Sequence, residues 1–290
     1  IINITMGNVT SYAFHSIVDI KKSAIISNIT MGDVNYAFQT GGNLSGKITD
    51  VMMGNVANAF AGDIAGSISN ITMGDVSNIA FYADYLGIDG IITNVTMGDV
   101  TNQAFRSKFN GISGTINNII IGNVTDTAFL AHGGIDGIIT NVTMGNVSYG
   151  FVINSNGISG VISDVIMGDG DNIAFYVEGG DISGKITNIT MGDFNTGIFS
   201  ENISGVVSDI KISNTINTFQ IAYSISGKIT NVMMGNVTNA FISGDILGSI
   251  SDVKIGDAVK GFYISTGDIS GIITNVTMGD VGLGFSTAGG

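Results

Sequence analysis

The side chains that could carry chemistry are few in this sequence, and most of them recur at fixed places. Acids dominate: there are 21 Asp and two Glu against nine Lys, one Arg and two His among 290 residues, and no Cys. Seven Asp occupy the same place in a repeated phrase, namely Asp33, Asp75, Asp99, Asp169, Asp193, Asp257 and Asp280, and six further copies have Asn there. If those places stack, carboxylates about 5 Å apart repel one another, and a hard cation that takes oxygen ligands, such as Ca²⁺, would relieve them. Asp75, Asp99, Asp169 and Asp193 are therefore the candidate metal ligands, and no other cofactor is implied. The competing expectation for the same Asp is a capped turn, with the carboxylate accepting backbone N–H bonds. Departures from the repeat are His15, His132, Arg106, Glu178, Glu201 and the GDGDN segment holding Asp169 and Asp171. They are scattered along the chain, so no catalytic residue is assigned. Without Cys there are neither disulfides nor thiolate metal sites.

A repeat positions these residues. The phrase ITNVTMGDV at Ile92–Val100 returns letter for letter at Ile273–Val281, with eleven near-copies elsewhere. Aligned on its Met, the copies fall at Met6, Met31, Met53, Met73, Met97, Ile121, Met144, Met167, Met191, Ile212, Met234, Ile255 and Met278, 20 to 25 residues apart. Three places earlier stands Asn or Asp every time: Asn3, Asn28, Asp50, Asn70, Asn94, Asn118, Asn141, Asp164, Asn188, Asp209, Asn231, Asp252 and Asn275. After the Met come Gly and then Asn or Asp, with Ser213 the one replacement of the Gly. A Phe follows in every copy: Phe14, Phe38, Phe60, Phe81, Phe105, Phe129, Phe151, Phe175, Phe199, Phe219, Phe241, Phe262 and Phe285. Most copies then have a loop of variable length and a segment such as Ile182-Ser183-Gly184.

Within one copy the polarity alternates with period two over runs too short for helix, and Gly, Asn and Asp stand between the runs. In ISGKIT, Ile182 and Ile186 face one way and Lys185 and Thr187 the other; in ITM, Ile189 and Met191 face inward and Thr190 outward. Asn and Asp tolerate left-handed backbone angles at the corners. These features predict an all-β fold, a three-sided parallel β-helix or β-solenoid of about 13 coils in one domain spanning 1–290, the coils starting near 1, 26, 48, 68, 92, 116, 139, 162, 186, 207, 229, 250 and 273. One coil cannot bury its apolar face alone, and stacking coils at about 4.8 Å lays each Met and Phe on its equivalent. The corner Asn and Asp would then form a second ladder, linked by side-chain hydrogen bonds along the axis. The absence of Pro fits, because Pro removes a ladder donor.

The stretch ISGKITNITMGD, Ile182–Asp193, resembles the coils of parallel β-helix proteins, the group that holds pectate lyases, polygalacturonases and autotransporter adhesins. The likeness covers the whole chain and lies in the I-x-G-x-I-x-N-[IV] spacing and the Asn corners. It implies a right-handed coil. It also implies two enzymatic alternatives: a lyase-like groove with acidic Ca²⁺ ligands and a Lys or Arg base, or a hydrolase-like group of close Asp with His. With two His in coils about five apart and a single Arg, the chain is expected not to be an enzyme.

Other surfaces were weighed the same way. Thr5, Thr30, Thr72, Thr96, Thr143, Thr190 and Thr277 would form an outward hydroxyl array of the kind ice-binding solenoids use, but Met52, Ile120, Ile166, Lys211, Met233 and Lys254 interrupt it. Of the Asn-x-Ser/Thr sequons, most lie in the phrase itself, where a corner Asn pointing inward could carry no glycan, which leaves Asn43 and Asn202 in the variable loops as the better candidate acceptors. Tyr82, Tyr85, Arg106, Lys108 and Phe109 are the outward loop residues expected to make lateral contacts, and the divergent copy from Val207 to Lys228 is a second such place. A net charge of −13 excludes a phosphate-binding face for nucleic acid, and no apolar run is long enough to cross a bilayer. TAGG at the C-terminus followed by IIN at the N-terminus reads like Ile64–Asn70, so an end-to-end homopolymer would keep register. The expected function is thus structural: a subunit or repeat region of an extracellular, cell-surface fibre, sheath or adhesin stalk, with itself and cell-surface glycans as partners.

Overall fold

The computed structural model describes residues 1–288, so Gly289 and Gly290 of the TAGG seam lie outside the described residues. It is an all-β parallel solenoid, and the thirteen phrases delimit about 12 turns. The chain divides into two compact units, Ile1–Val147 and the part from Ser148 onward.

In the first unit one sheet is built from the phrase strands Ile2–Thr5, Ile25–Met31, Lys47–Met53, Ser67–Met73, Ile91–Met97, Thr115–Ile121 and Ile138–Met144. Each lies parallel to the next in constant register, as in Ile92↔Ile116↔Ile139 and Val95↔Ile119↔Val142. The second sheet carries the Phe: strands Val34–Leu44, Val56–Ile64, Val76–Ala83, Gln103–Ser107 and Val124–Ala131 align Phe38, Phe60, Phe81, Phe105 and Phe129. The third wall is one residue wide, a column of Ile20, Leu44, Ile64, Ile88, Ile112 and Ile135 joined by single bridges. The second unit repeats the plan. Its phrase strands Val161–Met167, Lys185–Met191, Val206–Ile212, Lys228–Met234, Ser249–Ile255 and Ile272–Met278 stack in register. Its third wall is Ile158, Ile182, Ile203, Ile225, Ile246 and Ile269. The divergent copy around Lys211 and Ser213 keeps register with both neighbours.

The corner inside the phrase is sharper than the sequence suggested. ISGKIT and ITM are not separate strands; Lys185–Met191 is one strand bent at Asn188, with Ile186, Ile189 and Met191 buried. All thirteen corner residues, from Asn3 to Asn275, have φ between 53° and 60°. A single left-handed residue slips the alternation by one, so side chains three apart both point inward. The corner side chains are exposed, and each Asn donates to the corner of the preceding coil: Asn94 Nδ2 to Asn70 Oδ1 at 3.0 Å, Asn118 to Asn94 at 2.6 Å, Asn231 to Asp209 at 2.7 Å, Asn275 to Asp252 at 2.5 Å. Asp can only accept in this ladder. Asp50, Asp209 and Asp252 are each flanked by Asn in the coils before and after. The Asn231 and Asn275 amides hold the Asp209 and Asp252 carboxyls below the usual carboxylate range.

Inside, the Met ladder is buried from Met31 to Met144 and from Met167 to Met234. Within each unit the Phe rings stack with centroids 4.6 to 5.0 Å apart and planes within 5° where Phe follows Phe. Met6, Phe14 and Met278 are half-buried and Phe285 is exposed, since each is covered on one side only. Phe199 is a correction: Ile198, not Phe199, stands in the Phe column opposite Phe175 and Phe219, while Phe199 faces outward beside Tyr176. The cause is volume. This copy has buried Phe194 at the corner position that holds Val in most copies, so Ile beside it fills the same cross-section.

The core assignment predicts that Phe151→Asp or Met144→Asp, each at a fully buried site, destabilises by several kcal/mol in chemical denaturation. Ladder polarity predicts more specifically that Asn231→Asp, which sets three carboxylates in a row, costs about 1 kcal/mol or more at neutral pH. That cost should fade as pH drops below about 4, where the carboxylates protonate. Asp209→Asn should leave the melting temperature within a degree or two; equal losses in the two variants would contradict the polarity.

Candidate functional site

The second corner, Gly-Asx, is the place where sequence reasoning set carboxylates for Ca²⁺ against capped turns. Within each unit the side-chain Oδ1 of this Asx accepts the backbone N–H of the Asx one coil on. Asp75 takes Asp99 N–H at 3.0 Å, Asp99 takes Asn123 N–H at 2.7 Å, Asp169 takes Asp193 N–H at 2.9 Å and Asp193 takes Asn214 N–H at 2.9 Å. Asn does this equally well, as Asn55 does for Asp75 at 2.9 Å, which accounts for the mixture of Asp and Asn. The preceding Gly is part of the device: a Cβ on Gly98 would lie 2.3 Å from Asp75 Oδ1. One oxygen of each candidate Ca²⁺ ligand is thus engaged with the backbone, as the capped-turn reading requires. Among the described residues no group of three or more His, Asp or Glu side chains is placed to hold a metal ion.

The remaining chemistry-bearing residues are not gathered into one constellation. His15 stacks on Tyr12 at 4.7 Å in the first coil. His132 stands about five coils, or roughly 24 Å, farther along, where burial and the Arg106 charge lower its pKa. Glu178 and Asp171 are exposed. The Thr column does point outward, with Met52, Ile120, Ile166 and Met233 half or more exposed within it. In the second unit Lys185, Lys211, Lys228 and Lys254 alternate between two outward columns, so no cation lies directly above another. Of the loop sequons, Asn202 is a rung of its own: its amide donates to Asp181 at 2.8 Å and its Oδ1 accepts Ser224 N–H at 3.0 Å. Its amide nitrogen is hydrogen-bonded within the fold. Asn43 is half-buried, with its backbone N–H on Asp19 Oδ1 at 2.8 Å.

One surface does concentrate departures from the repeat. On the outer face of the second sheet in the first unit, Tyr36, Gln39, Asn58, Tyr82, Tyr85 and Arg106 line a groove. Lys108 pairs with Asp84 at 2.9 Å and lies over the Phe109 ring at 4.9 Å, while Tyr85 stacks on Phe109 at 5.6 Å. Burial, with the Asp84 hydrogen bond, raises the pKa of Tyr82. The sequence singled out five members of this cluster, of which Tyr85 and Phe109 are exposed and Tyr82, Arg106 and Lys108 half-buried. It missed Gln39 and Asn58, whose proximity depends on coil register, not on sequence distance.

If the Asx column is a hydrogen-bonding cap, Asp99→Asn should change stability by no more than about 0.5 kcal/mol, whereas Asp99→Ala, leaving Asn123 N–H without its acceptor, should cost about 1 kcal/mol. A thermal stabilisation by millimolar Ca²⁺ that Asp99→Asn abolishes would assign the column to the cation instead. Set against known protein families, curated proteins and solved structures, the chain has no match in any of the three.

Proposed function

We propose that this chain is structural: a subunit or repeat region of an extracellular fibre, sheath or adhesin stalk whose work is done by coil-on-coil stacking. The observation that carries the proposal is the fate of the acids and amides. Both Asx columns, the residues most able to bind or catalyse, turn to the adjacent coil: the first corner gives its amide N–H to an Oδ1 of the coil before, and the second corner's Oδ1 takes a backbone N–H of the coil after, in the same axial direction. A uniform polarity means that each coil presents one donor face and one acceptor face. Copies of the chain can therefore add to one another by the contact that already joins coil to coil, a heterologous association that propagates. The cell-surface setting rests on the resemblance of the coils to those of adhesins, and the outward columns, poor in charge, suit side-by-side packing in a sheath.

Purified chain at neutral pH, imaged in negative stain without any added substrate, should show elongated particles that lengthen as concentration rises. Light scattering should give masses at multiples of 29.9 kDa. A single mass of 29.9 kDa across a hundredfold range of concentration would remove the end-to-end part of the proposal.

A further inference from the structure

The groove on the second sheet arises from one small residue in a column of large ones. Reading along the coils, the outward position after the Phe is His15, Gln39, Ala61, Tyr82, Arg106 and Leu130. Ala61 leaves a dent between Gln39 and Tyr82, which are two coils, or about 9.6 Å, apart. Its lips are aromatic: Tyr36 on one side, Tyr82 and the two-thirds exposed Tyr85 on the other.

Unused hydrogen-bonding groups converge on the same dent. Among the described residues only two buried side-chain polar atoms lack a partner, Gln39 Oε1 and Arg106 Nε, and both residues line this groove. An amide ladder also ends here. Asn102 donates to Asn78 at 2.7 Å and Asn78 to Asn58 at 2.8 Å, but the next position is Tyr36, so the Asn58 amide hydrogens have no acceptor in the ladder. Asp84 takes both the Tyr82 hydroxyl, at 3.0 Å, and Lys108 on Oδ1, which leaves Oδ2 open. Buried polar groups are normally satisfied, and a concave, aromatic-lined site with a few converging polar groups is the form that small-ligand sites take.

We infer that this groove binds a neutral hexopyranose, as a single ring of a glycan chain. A pyranose has an apolar C–H face to lie on Tyr82 or Tyr85, and a rim of hydroxyls that both donate and accept. Asn58 and Arg106 supply donors to those hydroxyl oxygens; Gln39 Oε1 and Asp84 Oδ2 accept from the hydroxyl hydrogens. The ligand is neutral because the lining sets two acids, Asp63 and Asp84, against Arg106, with Lys108 at the edge already paired to Asp84, and a chain of net charge −13 repels polyanions.

The probes are cellotetraose, mannotetraose, β-1,4-galactotetraose and, as the acidic comparator, tetragalacturonate, followed by ligand-observed saturation-transfer NMR. Tyr emission offers a second signal, because the chain has eight Tyr and no Trp. At least one neutral tetrasaccharide should bind at millimolar concentration or better. Ala61→Leu, which puts in the dent a residue the same column already holds at Leu130, should weaken it at least tenfold without lowering the melting temperature; Tyr85→Ala, at an exposed site, should weaken it at least threefold. Tyr263→Ala, on the outer face of the second unit, should change nothing. The inference fails if no neutral tetrasaccharide binds at 10 mM, if only tetragalacturonate binds, or if Ala61→Leu and Tyr263→Ala behave alike.

Discussion

Hydrogen bonding along the axis between equivalent residues, at the roughly 4.8 Å spacing of paired strands, underlies every other feature of this molecule. An isolated coil of 20 to 25 residues has no sheet, no covered core face and a corner residue in a left-handed conformation that costs a non-Gly residue of order 1 kcal/mol. Only a second coil gives those corners a return. Asn at the first corner donates to the coil before it, and Asx at the second corner accepts from the coil after it. The corners are therefore the points where strain and inter-coil bonding meet, and this coupling keeps the phrase sheet in one register from coil to coil, while the second sheet absorbs the varying coil length in bulges.

Stacking like upon like suits apolar and amide side chains and penalises charged ones. Phe upon Phe and Met upon Met gain contact at each step, whereas carboxylate upon carboxylate repels. The sequence answers in two ways. At the first corner Asp is separated by Asn, which gives each Asp a donor from the following coil. On the outer face of the second unit the four lysines step from one column to the other, doubling their axial separation. The low charged fraction, 11%, follows from the same constraint, because few outward positions lack an equivalent directly above or below.

Much of this architecture was legible because a repeat announces its own contacts. Once Asn94 and Asn118 are seen to occupy the same place in consecutive copies, their pairing needs no further information, and the same holds for Phe81 and Phe105. What could not be read was anything that depends on compensation within a coil. Phe199 looked like a ladder residue because it matched its column by type. The deciding fact was the bulk of Phe194 at the other end of the same wall, which the match by type did not reveal. The bend within Lys185–Met191 was likewise hidden, because one αL residue turns the chain without interrupting the strand. The candidate groove was half visible: exposed aromatics and the single Arg stand out in the sequence, but Ala61 has no signal except its smallness in a column whose membership only register defines.

The same constraint decides where specificity can arise on such a scaffold. An inward or corner residue answers to a neighbour above and another below, so a change there is felt in three coils. Outward columns and loop tips answer mainly to solvent and tolerate departures. The side chains Tyr36, Gln39, Asn58, Ala61, Tyr82, Tyr85 and Arg106 all sit on outward positions or at a loop, while Phe38, Phe60, Phe81 and Phe105 beneath them keep the repeat unbroken. A change of outward residues is thus accommodated without altering the stack that supports it. Conversely, such a change can be made at any coil within a unit, since the columns beneath repeat the same spacing.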